Sequence, residues 1–118
     1  MTIKKIISSG TLGTESAALD VAIRLKIPYG GYAISSPVLE IERRNHQYRL
    51  TRKSFQDSQS KDEANLQIAE GTLIFSHGLL TDDLDYLQTF AQACEHPCLH
   101  IDLAQSPPLN AAFQIDRW

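Results

Sequence analysis

No apolar run in the sequence approaches the ~20 residues that span a bilayer. The opening MTIKKIISSG sets only two isoleucines after its lysines, too few for the apolar core of a signal peptide. Cysteine is scarce, two in 118 residues, which with no export signal argues for free thiols in a reducing compartment rather than a disulfide framework. An excess of positive charge is missing too. Eleven basic residues face fourteen acidic ones, a net charge of −3, so the chain lacks the broad positive field that nucleic acid requires. Neither an internal sequence repeat nor a low-complexity tract is present. The expectation is a cytoplasmic protein whose partner is neither membrane nor nucleic acid.

What is present is strand alternating with helix. At 13.2 kDa, residues 1–118 are expected to form a single domain burying roughly two-thirds of its unfolded surface. IKKIIS (3–8) predicts a strand and TESAALDVAIRLK (14–26) a helix. Thr14 is its expected N-cap, and Ala17, Ala18, Val21, Ala22 and Leu25 its apolar face. IPYGGYAIS (27–35) is extended and broken by paired glycines. Residues 37–59 are polar, with a basic run at 43–53 read as a solvated edge; HQYRLT could add an edge strand there. SKDEANLQIAE (60–70) predicts a helix with Ser60 and Glu63 as a capping box. GTLIFS (71–76) has the apolar run of a covered central strand. A helix over 81–96 capped by Thr81, a strand over 97–103 and a helix over 106–118 with Pro107 or Pro108 in its first turn complete the chain. Such alternation implies an α/β fold with a mostly parallel sheet between helices.

One stretch points to function. In IISSGTLGTESAALDVA (6–22), a β-branched run ends at two serines, passes Gly10 and Gly13, and enters a helix. Glycines there permit positive φ and close backbone approach, and the unpaired amides and dipole of a helix start favour an anion. Gly78, followed by the helix start after Thr81, repeats the pattern. The two starts are expected to share one anion crevice.

These segments resemble, in order, the molybdenum cofactor carrier proteins. That family is Rossmann-like and related to the lysine-decarboxylase-like and DNA-processing-protein folds. Ser8, Gly10, Gly13, Ala17, Ala18, Leu19 and Asp20 match a family motif of the form SGGQTGADRAALD. Ile27, Pro28, Gly30 and Gly31 match IPHGG, and Glu63 and Asn65 remain of RTEWN. Gly71–Ile74 match the DGTLI strand, and Ser76, Gly78, Leu80 and Thr81 the loop after it. Phe90–Ala91 and Pro97–Leu103 match FA and KPCLHIDL. The resemblance implies a Rossmann-like three-layer sandwich with a mostly parallel sheet of about four to five strands and helices on both faces. It implies a pocket lined by loops 8–14 and 76–82. Its contact residues would be Ser8, Ser9, Gly10, Thr11, Gly13, Thr14, Asn65, Ser76, Gly78 and Thr81. The ligand would be a phosphorylated small molecule, either the molybdenum cofactor (molybdopterin) or a nucleotide.

The ligand loops depart from the family pattern. Ser9, Thr11, Leu12 and the pair Glu15–Ser16 replace its glycine, glutamine, threonine and aspartate–arginine, and Asp82–Asp83 replace two glycines. Asp20 is expected to brace the glycine turn, and His77 to face the crevice. A serine–histidine pair can be drawn between Ser8, Ser9 or Ser76 and His77, but no Gly-x-Ser-x-Gly elbow supports it. Cys94, His96, Cys98 and His100 have the residue types of a zinc set, yet Cys94 ends a helix and family resemblance already accounts for 97–100. No metal and no catalytic residue is assigned. The reading is a non-catalytic carrier, expected to form a homo-oligomer. Its alternatives are a nucleotide-processing phosphoribohydrolase-like enzyme and a ligand-free oligomeric interaction module.

Overall fold

The computed structural model describes residues 3–10, 13–34, 48–55, 57–80 and 82–118. They fall into two compact units divided between Ile68 and Ala69. The N-terminal unit contains β1 (Ile6–Ile7), α1 (Thr14–Leu25), β2 (Tyr29–Gly30), β3 (Tyr32–Ile34), β4 (Thr51–Lys53) and α2 (Ser58–Ile68). The C-terminal unit contains β5 (Thr72–Ser76), α3 (Asp82–Ala93), β6 (Cys98–Asp102) and α4 (Pro108–Arg117). Every described strand pair is parallel: β1 with β2, β3 with β4, and β5 with β6. The chain is therefore an α/β protein, as the alternation implied.

In the N-terminal unit, β1 is shorter than residues 3–8, because its ladder runs only from the Ile6 amide on Pro28 O (2.9 Å) to the Ser8 amide on Gly30 O (3.0 Å). The expected N-cap moves back one residue. Gly13, with φ +104°, caps α1 without a side-chain hydrogen bond, and Thr14 is already helical. Of the expected apolar face of α1, only Ala22 is buried. Leu19 and Ala22 are buried, whereas Val21 and Leu25 are 45% and 61% exposed. The alanines at 17, 18 and 22 give its period too little contrast to fix the buried stripe, and of its four large apolar residues (Leu19, Val21, Ile23 and Leu25) only Leu19 is buried. Burying such a side chain is worth about 2 kcal/mol. The paired-glycine break is observed, with Gly31 between β2 and β3 at φ +132°. The edge strand starts at Thr51, in register with Tyr32; residues 43–47 of the basic run lie outside the described residues. Helix α2 begins before Ser60. The Asp57 carboxylate accepts the Ser60 amide at 2.8 Å, the geometry of an N-cap, and that bond lowers the Asp57 pKa. The Ser60–Glu63 capping box is thereby replaced.

In the C-terminal unit, β5 and β6 align Thr72 with Cys98 through Ser76 with Asp102. Their core is Ile74 and Ile101, with Leu87 and Ala91 from α3 and Ala111 from α4. Pro108 occupies the first turn of α4 behind Pro107. The expected cap Thr81 lies outside the described residues.

The two units close their helices in the same way. Lys26 after α1 and Glu95 after α3 adopt positive φ (57° and 54°). The Ile27 amide then reaches back to Ala22 O and the His96 amide to Ala91 O, both at 2.8 Å, the six-to-one closure that satisfies late helix carbonyls. A proline follows each closure, and its carbonyl accepts the first amide of the preceding strand: Ile6 on Pro28 and Thr72 on Pro97, both at 2.9 Å. No residue repeat beyond the proline announces this shared β–α–β plan.

Candidate functional site

The first loop is anchored from within. Ser8 follows β1, and its hydroxyl donates to Glu15 O at 2.8 Å across the loop. Ser9 is fully buried, and its hydroxyl accepts from the Lys61 amine at 3.1 Å. Lys61 is itself buried and lies 3.2 Å from Asp62 and 3.8 Å from Glu15. A lysine in the polar first turn of α2 thus ties the glycine loop to that helix. Gly10 has φ +72°, but the volume its missing Cβ leaves is closed. An added methyl would stand 3.1–3.3 Å from Tyr48, Leu19 and Leu50. The expected close approach of a ligand at Gly10 is taken instead by protein side chains.

Gly13 differs. A Cβ added there would meet nothing within 4 Å, and Gly13 and Thr14 are exposed. The first helical bond of α1 is the Ala17 amide on Gly13 O at 3.0 Å. The amides of Thr14, Glu15 and Ser16 precede it, the orphan donors of a helix start. Ser16 turns its hydroxyl onto Gly13 O at 3.0 Å. Asp20 accepts the Tyr48 hydroxyl, so it braces the segment after residue 47 rather than the glycine turn. Asn65 is committed to backbone: its amide accepts from Tyr32 N–H at 2.7 Å and donates to Tyr32 O at 3.0 Å. An open hollow of about 560 Å³ lies at the other end of α1, between Ala22, Lys26, Pro28 and Arg49.

The second loop follows β5. The Ser76 hydroxyl donates to Gly78 O at 2.7 Å and lies 2.7 Å from His100 Nε2. A hydroxyl carries one proton. His100 Nε2 must therefore donate, and the imidazole cannot act there as a base toward Ser76. The serine–histidine pair exists, but its histidine is His100 on β6 and its role is to hold the loop; His77 is exposed. Asp102 Oδ1 accepts the amides of Gly78 (2.7 Å) and Ala104 (2.9 Å), and these bonds, aided by His100 and His77, hold its pKa below the ordinary aspartate value. Gly78 has φ +103° and open space where a Cβ would stand. Asp82 has φ +47° at the start of α3, a conformation suited to the glycine of the family pattern and tolerated by aspartate better than by most residues.

Of the expected site residues, Thr11 and Thr81, with Leu12, lie outside the described residues. Each of the others keeps to its own unit as described. In the zinc-like stretch, His96 Nε2 lies 3.0 Å from the Thr72 hydroxyl, while burial raises the Cys98 thiol pKa. Among the described residues no three His, Cys, Asp or Glu side chains gather as a metal set, and no helix is long and apolar enough to cross a membrane. Sequence reasoning missed Tyr48, Lys61 and Asp102, and weighed His100 only as a member of a zinc set. Only His100 and Asp102 carried a signal, the polar positions of an otherwise apolar strand.

The model of the circularly permutated YpsA SLOG family matches residues 6–118. The crystal structure of a "putative molybdenum carrier protein" from Syntrophus aciditrophicus SB superposes with a TM-score of 0.89 at 40% identity, covering 98% of this chain and 73% of that one. No curated protein matches significantly. With the resemblance read from its motifs matched over nearly all its length, the chain belongs to the circularly permutated YpsA SLOG family.

Proposed function

We propose that this protein binds and carries a phosphorylated small molecule, a pterin phosphate such as the molybdenum cofactor or a nucleotide, without making or breaking bonds. The observation that carries the reading is the open, uncapped start of α1 at Gly13, where an added methyl would meet nothing within 4 Å and no side chain caps the helix. Backbone amides at such a start suit a phosphoryl oxygen. Thr11, Gly13 and Thr14 would contact the ligand in this reading, with Ser8, Ser9 and Gly10 shaping the loop and Asn65 holding β3. Ser76, Gly78 and Thr81 form the second candidate loop. The name of the Syntrophus relative supports a carrier role and a molybdenum-containing cargo. The reading also keeps a single Rossmann-like domain with a parallel sheet of about four to five strands, supported by the parallel pairing of every described strand pair. The exposed Leu109 and Phe113 on α4 support a homo-oligomer, and a cytoplasmic setting fits the free thiols.

Thermal-shift screening with molybdate, molybdopterin, AMP and NAD tests the reading, with Gly13→Asp as control. Stabilisation by a phosphorylated compound that vanishes in the variant is the expected result. Release of free base from AMP would instead establish a phosphoribohydrolase. No response to any of the four compounds would leave an interaction module.

A further inference from the structure

Arg52, the middle residue of β4, has a buried guanidinium nitrogen, Nη1, with no hydrogen-bond partner among the described residues. A buried donor of a charged group is costly to leave unpaired, so an arginine in this state has the chemistry of a half-built anion contact. Its direction follows from the strand. Thr51 and Lys53 share one face of β4, the face on which Lys53 Nζ lies 4.7 Å from the centre of the Tyr32 ring. Arg52 therefore projects from the opposite face, with Leu50 and the fully buried Ala33. Leu50 is one of the side chains packed on Gly10, and Tyr48 before it reaches Ser16 O and Asp20 on α1. Arg52 stands about 7 Å beyond Leu50 along the same face, toward the carboxyl end of the strand. That end is where a parallel sheet presents its ligands.

We infer that Arg52 is a ligand-binding residue, its guanidinium taking an oxygen of the phosphoryl group held at the 8–14 loop. The inference rests on the reading given above and adds to it the charged group that the glycine loop lacks. Lys61 cannot fill that role, since Ser9, Asp62 and Glu15 already surround its amine. Arginine also offers the planar pair of donors that fits a phosphoryl group, which lysine does not.

Titration of the ¹⁵N-labelled protein with inorganic phosphate and with AMP tests this, observing the Arg52 Nε–Hε signal and the Gly13 and Thr14 amides. Joint movement of all three is expected, with affinity falling at least about tenfold in Arg52→Lys and further in Arg52→Met. Arg52→Met should melt no lower than the wild type in phosphate-free buffer, because it removes an unpaired buried donor. Loop amides that move without Arg52, or equal affinity in the variants, would overturn the inference and leave the carrier reading intact. Movement of Arg52 alone would overturn both the inference and the loop as the site, since the inference places the guanidinium on a phosphoryl group held at that loop. No movement anywhere would end both. A much lower melting temperature for Arg52→Met would show the arginine to be structural and end the inference.

Discussion

The amine of Lys61 lies 3.1 Å from the hydroxyl of Ser9, and both side chains are buried. This contact fixes the glycine loop to α2 through a group that also faces Glu15 and Asp62. Lys61→Met would keep the length of the stem but leave Ser9 and Asp62 without their cation. Because Glu15 is partly exposed, its share is small, and the expected loss is about 2 kcal/mol in urea unfolding. Adding Asp62→Asn to Lys61→Met should recover part of that loss, because it removes the carboxylate that Lys61→Met leaves without a counter-charge. A double variant no more stable than Lys61→Met would show that the Ser9 contact alone carries the effect.

Gly31 and Gly13 both have strongly positive φ, 132° and 104°, yet they should respond differently to alanine. A methyl at Gly31 would stand 2.4 Å from Ser8 O and 3.0 Å from Ser8 N. Backbone cannot swing aside as a side chain can, so Gly31→Ala should cost more than about 3 kcal/mol or prevent folding. Gly13→Ala meets open space and bears only the conformational penalty of φ +104° with ψ −134°, about 1–3 kcal/mol. Equal melting temperatures for the two variants would contradict the tight packing of Ser8 against Gly31.

How far the sequence could be read follows from what each residue's signal depends on. Glycine and proline act locally. The turn at Gly31, the Pro108 helix start and the strand beginnings beside Pro28 and Pro97 were therefore legible, and so was the parallel α/β class. The buried face of α1 was not, because its small alanines fit almost any stripe and only the tertiary environment selected Leu19 and Ala22. The site was legible as a loop but not as a mechanism of holding it. Lys61 is 52 residues from Ser9 and Asn65 33 from Tyr32, and no local pattern encodes such pairings. For the same reason Ser76 was matched to the adjacent His77 rather than to His100 across the β5–β6 ladder.

Gly71 lies under the ring of Trp118, where an added methyl would come within 2.8 Å of the ring edge. The indole ends a helix and is 41% exposed, so it can tilt away at little cost. Gly71→Ala should therefore lower stability by less than about 1 kcal/mol while moving the ring into water. Trp118 is the sole tryptophan, so a red shift of its emission reads this directly. An unchanged spectrum together with a large loss of stability would mean that backbone at residue 71, rather than the indole, opposes the methyl.

The second loop should loosen in acid through Asp102. Its carboxylate accepts the Gly78 and Ala104 amides, and these bonds lower its folded pKa. A lowered folded pKa contributes stability that is fully present above the unfolded value, about 3.9, and is lost as pH falls through the folded value. Amide exchange at Gly78 and Ala104, corrected for its intrinsic pH dependence, should accelerate only below about pH 4. Asp102→Asn keeps an oxygen acceptor but cannot ionise, so its Gly78 and Ala104 amides should exchange faster than wild type at neutral pH and show no acid transition. Retention of the transition in Asp102→Asn would assign it to another group, with Asp82, Asp83 and Asp85 at the start of α3 the next to replace.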